Sequence, residues 1–202
     1  MEITRATPSD LVQTVDRLVR AFARDPITGF LLQDGPTYRE RLTRFFSLLM
    51  RARIALDMPV LVAREGDKIH GIVMGNIPSS PAWPAGIAQE WEDFERAVPG
   101  MVDRLAVYEG IAAQHAPAVP HYYLGVIGVD PAMHGRGIGM QLISAFCELS
   151  VADDRSHGVY LETGEPSNVR FYERADFIET GRGAMGDATL WCMYRSHERE
   201  GD

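Results

Sequence analysis

The segment His134-Gly135-Arg136-Gly137-Ile138-Gly139 places three glycines at alternate positions around one arginine. An apolar, strand-like run at 122–129 precedes it, and a helical stretch to about 151 follows. Glycines let the backbone approach an anion closely, a helix N-terminus offers unpaired N–H groups and a positive dipole end, and Arg136 adds a full charge. A phosphate or pyrophosphate is the natural guest of such a loop. Spacing then separates the phosphate-binding loops from one another. A P-loop needs Gly-Lys followed by Ser or Thr, which is missing here. A dinucleotide loop needs Gly-x-Gly-x-x-Gly, yet the last position is Met140 counted from Gly135 and Leu142 counted from Gly137.

Residue usage argues against several other chemistries. The two cysteines, Cys147 and Cys192, are far apart, and no Cys-x-x-Cys or His-x-x-x-His spacing offers a metal two ligands, so no metal is expected. Cys147 lies among Leu142, Ile143 and Phe146 and reads as core, not as a nucleophile. The 202 residues include 20 Lys and Arg against 28 Asp and Glu, a net charge of −8. Nucleic acid is not expected as a partner, because neutralising phosphates needs a basic face. No membrane partner is expected either: the longest uncharged stretch, 110–129, is broken by Pro117 and Pro120 and carries His115 and His121. The chain starts Met1-Glu2-Ile3-Thr4 without the basic and apolar run of a secretory signal, which makes cytoplasmic residence the expectation.

The elements that must carry the loop follow from periodicity. Residues 2–6 suggest a short strand. Leu11, Val15, Leu18, Val19 and Phe22 mark one face of a helix entered through Thr7, Pro8, Ser9 and Asp10, and Tyr38, Leu42, Phe45, Phe46 and Leu49 mark a second. Residues 60–63 and 69–74 flank Glu65-Gly66-Asp67 as a hairpin. A loop at 78–86 leads to two short helices near 89–97 and 101–114, parted by Pro99 and Gly100. The second half reads strand (122–129), glycine loop, helix, strand (159–162), helix (167–174) and two strands around Phe177 and 190–194. A mixed α/β chain is expected, with one domain over 1–195, variable helices at 78–120 and a polar tail at 196–202.

The glycine segment resembles the acyl-CoA loop of the GCN-five-related N-acetyltransferase (GNAT) superfamily, whose pattern is Gln or Arg, two residues, Gly, one residue, then Gly or Ala. His134 stands at the first position, which leaves the backbone contacts untouched. Tyr160-Leu161-Glu162-Thr163, then Asn168, then Phe171-Tyr172-Glu173-Arg174-Ala175-Asp176-Phe177 resemble the second signature, with Asp176 in place of a glycine. Leu161-Glu162-Thr163, Phe171-Tyr172-Glu173-Arg174 and Trp191-Cys192-Met193 are similar to the puromycin N-acetyltransferase-like branch. Ala21-Phe22-Ala23 with Asp25-Pro26 extends that likeness to the first helix. The resemblance implies an α/β (α+β) fold: a mixed, mostly antiparallel central sheet with helices on both faces and a splayed central strand. It also implies acetyl-CoA as cosubstrate and direct attack by the primary amine of a small molecule in a ternary complex.

Under that resemblance Ile127, Gly128 and Val129 line the acyl chain. His134, Gly135, Arg136, Gly137, Ile138 and Gly139 hold the pyrophosphate, and Asn168 bonds the pantetheine or pyrophosphate region. Tyr172 falls where the family places the general acid for the CoA sulfur. A thiolate with a pKa of about 8.5 needs only a modest donor, such as a phenol at about 10. Glu162 ends a strand where a carboxylate can take the amine proton, directly or through water; Glu109 and His121 are its rivals.

Between 87 and 121 six acids face two arginines, accompanied by Trp91, Phe94 and Tyr108, with Trp83 just before. An aromatic, acidic pocket lined by Trp83, Trp91, Tyr108, Glu109 and His121 would suit a cationic, partly apolar amine. Taken one by one, most of these acids are better accounted for as the solvated faces of two amphipathic helices. A non-catalytic acyl-CoA-binding sensor and a protein lysine or N-terminal acetyltransferase are the alternatives in function, and homodimer formation stays open. Calorimetric titration with acetyl-CoA, CoA and NADH in parallel separates the loop readings. Micromolar binding of the CoA species without NADH is expected, and silence for both CoA species removes the phosphate-loop reading.

Overall fold

A computed structural model describes residues 1–79 and 81–197, so most of the expected polar tail lies outside the described residues. Among the described residues are seven strands: β1 (Glu2–Arg5), β2 (Val60–Glu65), β3 (Lys68–Asn76), β4 (Tyr122–Val129), β5 (Gly158–Thr163), β6 (Ile178–Met185) and β7 (Ala188–Ser196). Seven α-helices accompany them: α1 (Leu11–Ala21), α2 (Pro26–Leu32), α3 (Tyr38–Ala55), α4 (Ala85–Ala97), α5 (Met101–His115), α6 (Ile138–Val151) and α7 (Pro166–Glu173). The sequence anticipates all of these except α2, with the strand expected around Phe177 running instead from Ile178. That helix is only seven residues long, too short for an amphipathic stripe to show. Its local signal is Asp25-Pro26: the Asp25 carboxylate accepts from the Thr28 N–H at 2.8 Å, and Pro26 opens the first turn.

The strands form one sheet in the order β1-β2-β3-β4-β5-β7-β6, antiparallel everywhere except between β4 and β5. Helices cover both faces. Leu18 of α1, Phe46 of α3, Phe94 of α4 and Met101 of α5 join Val62, Ile72, Met74 and Val126 in one core. Ile138, Leu142 and Phe146 of α6 and Tyr172 of α7 join Leu61, Val73, Leu124 and Leu161 in the other. The mixed, mostly antiparallel sheet with helices on both faces is therefore the fold.

The sheet is incomplete at its centre. β4 meets β5 through only Tyr122↔Val159 and Tyr123↔Tyr160, while it stays paired with β3 as far as Val129. This is the splayed strand, and it is irregular on its paired side too. Gly75 faces Leu124 and Met74 faces Val126, which leaves Gly125 as an extra residue. Such a bulge reverses the alternation of side chains. Before it Tyr122 and Leu124 point to the α6 core; after it Ile127 and Val129 do, and Val126 turns to the opposite core. Gly128 has another reason to lack a side chain: a Cβ there would stand 2.9 Å from Leu18 Cδ2 of α1.

Asp176, in the turn after α7, adopts φ +64°, the left-handed conformation that glycine takes without steric cost. The turn is closed by the Phe177 N–H donating to the Tyr172 carbonyl at 3.1 Å. Among the described residues the Asp176 side chain has one ion pair, to Arg195 at 3.8 Å, which is largely exposed and contributes little. Asp176→Gly is therefore expected to stabilise the fold by about 0.5–1 kcal/mol, read from the urea unfolding midpoint. A lower midpoint would refute this account of the turn.

Candidate active site

Where β4 and β5 part, a cavity of about 350 Å³ lies beneath the helices of the α1–α5 face. β4 contributes its wall from Tyr123 to Ile127, and β5 contributes Glu162 and Thr163. Of the residues expected at a site, Glu162, Tyr172, Asn168, Ile127, Trp83, Trp91, Tyr108 and Glu109 all reach this cavity. His121 does not. It lines a separate hollow with Pro78 and Pro120, its Nδ1 lies 2.7 Å from the Val119 carbonyl, and its ring packs edge-on against Tyr160 and Tyr194. Gly128 and Val129 also face away, the first against α1 and the second into the α6 core.

Glu162 sits in a triangle of oxygens. The hydroxyls of Tyr108 and Tyr123 donate to its Oε2 at 2.9 and 2.8 Å, and they lie 2.9 Å from each other. Burial raises the Glu162 pKa, and the tyrosine hydrogen bonds partly offset the rise. Burial holds both phenols far above their usual range, so they remain donors. Three mutually close oxygens share two protons when Glu162 is ionised. A third proton on Oε2 completes a ring in which each oxygen both donates and accepts. The triangle is thus built to take up a proton. Tyr123 has no sequence signal beyond its place in an aromatic strand; its pairing with residue 162 exists only through the fold.

Tyr172 presents the complementary chemistry. Its ring is buried between Phe171 and Phe177, and its hydroxyl makes no hydrogen bond to any described residue while lining the cavity. Burial and the neighbouring Asp25 carboxylate raise its pKa, which keeps the proton on the oxygen. Asp25, also on the cavity wall, is itself raised by burial, though it accepts from both the N–H and the hydroxyl of Thr28, at 2.8 and 3.0 Å. Asn168, one turn before Tyr172, holds only a long 3.5 Å contact to Thr163 Oγ1.

The glycine loop stands at the start of α6. Gly135 and Gly137 have φ of +77° and +73°, with nothing within 4 Å of where their Cβ atoms would be, so the loop is open to solvent. Gly137 is the N-cap of α6 and offers no capping side chain, which leaves the first-turn N–H groups free for an anion. At Gly139 a Cβ would lie 3.0 Å from Phe171 Cζ, so α7 packs directly on the loop and ties it to Tyr172. The His134 imidazole turns back to the Val129 carbonyl, at 3.2 Å.

The sequence pattern of the acetyltransferase (GNAT) family matches residues 31–177. The chain belongs to that family. Solved structures agree in fold. The Corynebacterium glutamicum structure described as histone acetyltransferase HPA2 and related acetyltransferase superposes with a TM-score of 0.75 at 22% identity, over 99% of this chain and 98% of that one. The PH1933 protein of Pyrococcus horikoshii gives 0.63 at 14% identity, over 98% and 99%. The ribosomal-protein-alanine N-acetyltransferase of Brucella melitensis gives 0.61 at 16% identity, over 98% and 100%. GNAT enzymes draw their acetyl group from acetyl-CoA. The open glycine loop, the uncapped α6 N-terminus and the unpaired edge of β4 are features that such a cosubstrate fits.

In this GNAT protein the acids of α4 and α5 mostly serve structure. Glu90 makes a two-pronged pair with Arg51 at 2.7 and 2.8 Å, Glu95 accepts from the Trp91 indole at 2.6 Å, and Asp93 pairs with Arg96. Of the six acids between 87 and 121, Glu109 alone lines the cavity. The aromatic part of the pocket does form, with Trp83 and Trp91 edge-to-face at 5.3 Å. Among the described residues no helix is long and apolar enough to cross a membrane.

The raised pKa of Glu162 has a consequence for stability. Its carboxyl binds a proton more tightly in the folded than in the unfolded chain. Stability contributed by the site therefore falls as pH rises from the unfolded value of about 4.3 through the higher folded one. Glu162→Gln removes that slope. In urea titrations the variant is expected to gain on the wild type between pH 4 and pH 7; a constant difference would contradict a buried, proton-retaining Glu162.

Proposed function

We propose that this GNAT protein transfers an acetyl group from acetyl-CoA to a primary amine of a small molecule, by direct attack within a ternary complex. The observation that carries the reading is the convergence, in one cavity at the parting of β4 and β5, of the proton-accepting Glu162 triangle and the unpartnered hydroxyl of Tyr172. The amine nitrogen attacks the thioester carbonyl and the C–S bond breaks. Glu162 takes the proton lost by nitrogen, directly or through water, and Tyr172 gives its proton to the departing sulfur. The free edge of β4 beside Ile127, Gly128 and Val129 receives the pantetheine arm, with Asn168 across the gap. The backbone of Gly135, Gly137, Ile138 and Gly139 and the charge of Arg136 receive the pyrophosphate.

Direct attack is supported by the cysteines. Cys147 and Cys192 are both buried, and burial raises both thiols, so neither suits an acyl-enzyme. A small acceptor is supported by the size of the cavity and its walls of Trp83, Trp91, Phe45 and Phe22. The similarity to the puromycin N-acetyltransferase-like branch in Leu161-Glu162-Thr163 and Phe171-Tyr172-Glu173-Arg174 points the same way.

Thiol release and product mass across a panel of aromatic amines and lysine or N-terminal peptides test the reading. Acetylation of amines over peptides is expected, and the reverse preference would replace the small-molecule acceptor by a protein one. For an acetylated amine, Tyr172→Phe is expected to lower kcat about 100-fold or more with KM for acetyl-CoA little changed. Undiminished turnover across the pH range removes Tyr172 from the chemistry. Glu162→Gln is expected to flatten the acidic limb of the pH–rate profile, whereas an unchanged limb moves the base to Glu109 or a water.

A further inference from the structure

The cavity contains one buried cation that the acetyl-transfer scheme leaves unused. Arg53, near the C-terminal end of α3, is 6% exposed. Its Nε donates to the Gly75 carbonyl at 3.3 Å and its Nη1 to the Leu49 carbonyl at 3.2 Å. Nη2 has no partner among the described residues, and no carboxylate of the described residues lies within ion-pair distance of the guanidinium. Glu162, Asp25 and Glu109 line the same cavity without reaching it. A buried guanidinium with no carboxylate partner is costly, and burial pulls its pKa down to about 10, which still leaves it charged at neutral pH.

Nη2 faces the space above Gly125. A Cβ on that residue would lie 3.1 Å from Nη2 and 2.9 Å from the Tyr123 ring. The bulge glycine thus lets Arg53 Nη2 and the Tyr123 ring pack closely on the β4 backbone, which puts the one free edge of Arg53 beside the tyrosine that donates to Glu162. Much of the cavity wall is aromatic and aliphatic, with Phe22, Phe45, Phe46, Leu49 and Trp91 among its residues. A free guanidinium edge in such surroundings pairs strongly with one small anion.

We propose that Arg53 is an anion-binding residue of the acceptor cavity and that the acceptor is an amine that also carries a carboxylate. The proposal rests on the acetyl-transfer reading for the amine, while the carboxylate subsite is testable without turnover. In the Michaelis complex the carboxylate meets Arg53 Nη2 and the amine faces the Glu162 triangle, both within one cavity.

Titration calorimetry with phenylacetate and indole-3-acetate against their neutral amides, with CoA in excess to occupy the glycine loop, tests the subsite. The carboxylates are expected to bind about tenfold or more tightly than the amides. In Arg53→Gln that preference is expected to vanish while CoA still binds, the latter showing that the variant is folded. Arg53→Lys is expected to keep part of it. Equal or weaker binding of the carboxylates to the wild type overturns the proposal, whether or not the variants fold, as does a preference that survives in a folded Arg53→Gln.

Initial rates with phenylalanine and phenethylamine separate this proposal from the reading beneath it. A higher kcat/KM for phenylalanine is expected. Acetylation that favours phenethylamine sinks the subsite and leaves acetyl transfer standing. An Arg53-dependent carboxylate preference with no amine acetylated sinks acetyl transfer and leaves the subsite standing.

Discussion

Hydrogen bonding between β4 and β5 stops after Tyr123 and Tyr160, and a sheet opened in this way leaves main-chain donors and acceptors without protein partners in the middle of the fold. An opening of that kind survives only if everything around it is held firmly. β4 is tied to β3 from Tyr123 to Val129, apart from the bulged Gly125, and β5 is paired with β7 at all six of its residues. α6 and α7 pack beneath the gap on one face, and α1 to α5 roof it on the other. The Gly125 bulge belongs to the same solution. By reversing the alternation of β4 it lets Leu124 and Ile127 both serve the α6 core while Tyr123 and Val126 serve the cavity side.

The gap also sorts the charges. The molecule carries a net −8, yet most of its acids are solvated or paired on the surface. Inside the cavity three charged side chains have environments that shift their protons. Glu162 is raised by burial against two phenols, Asp25 is raised by burial beneath Thr28, and Arg53 is lowered by burial among carbonyls. Perturbations of this kind cluster where chemistry is done, since a group that titrates normally in water has no reason to be desolvated. The glycine loop lies by contrast in the open, with the α6 N-terminus uncapped and Arg136 exposed.

Local signals carried much of this. The helix stripes, the Glu65-Gly66-Asp67 hairpin, the β4–loop–α6 succession and the spacing of Gly135, Gly137 and Gly139 are all short-range features, and each lies where its pattern placed it. Asp176 stood out as a non-glycine at a glycine position, and its backbone adopts the glycine conformation all the same. α2 escaped because seven residues cannot express a helical period, and His121 was misplaced because nearness in sequence to β4 says nothing about which side of the sheet a ring will take.

The sequence by itself determined the order of elements apart from α2, the open glycine loop and the family, because propensity, capping and motif spacing act over a few residues at a time. Only the tertiary structure decided which carboxylates lose their water, which tyrosines reach Glu162 and which cation faces the cavity. Tyr108 and Tyr123 lie 54 and 39 residues from Glu162, and Arg53 acts on a carbonyl 22 residues away. Contacts over such separations are set by how whole elements pack, and burial, which tunes their chemistry, does not exist until the packing is complete.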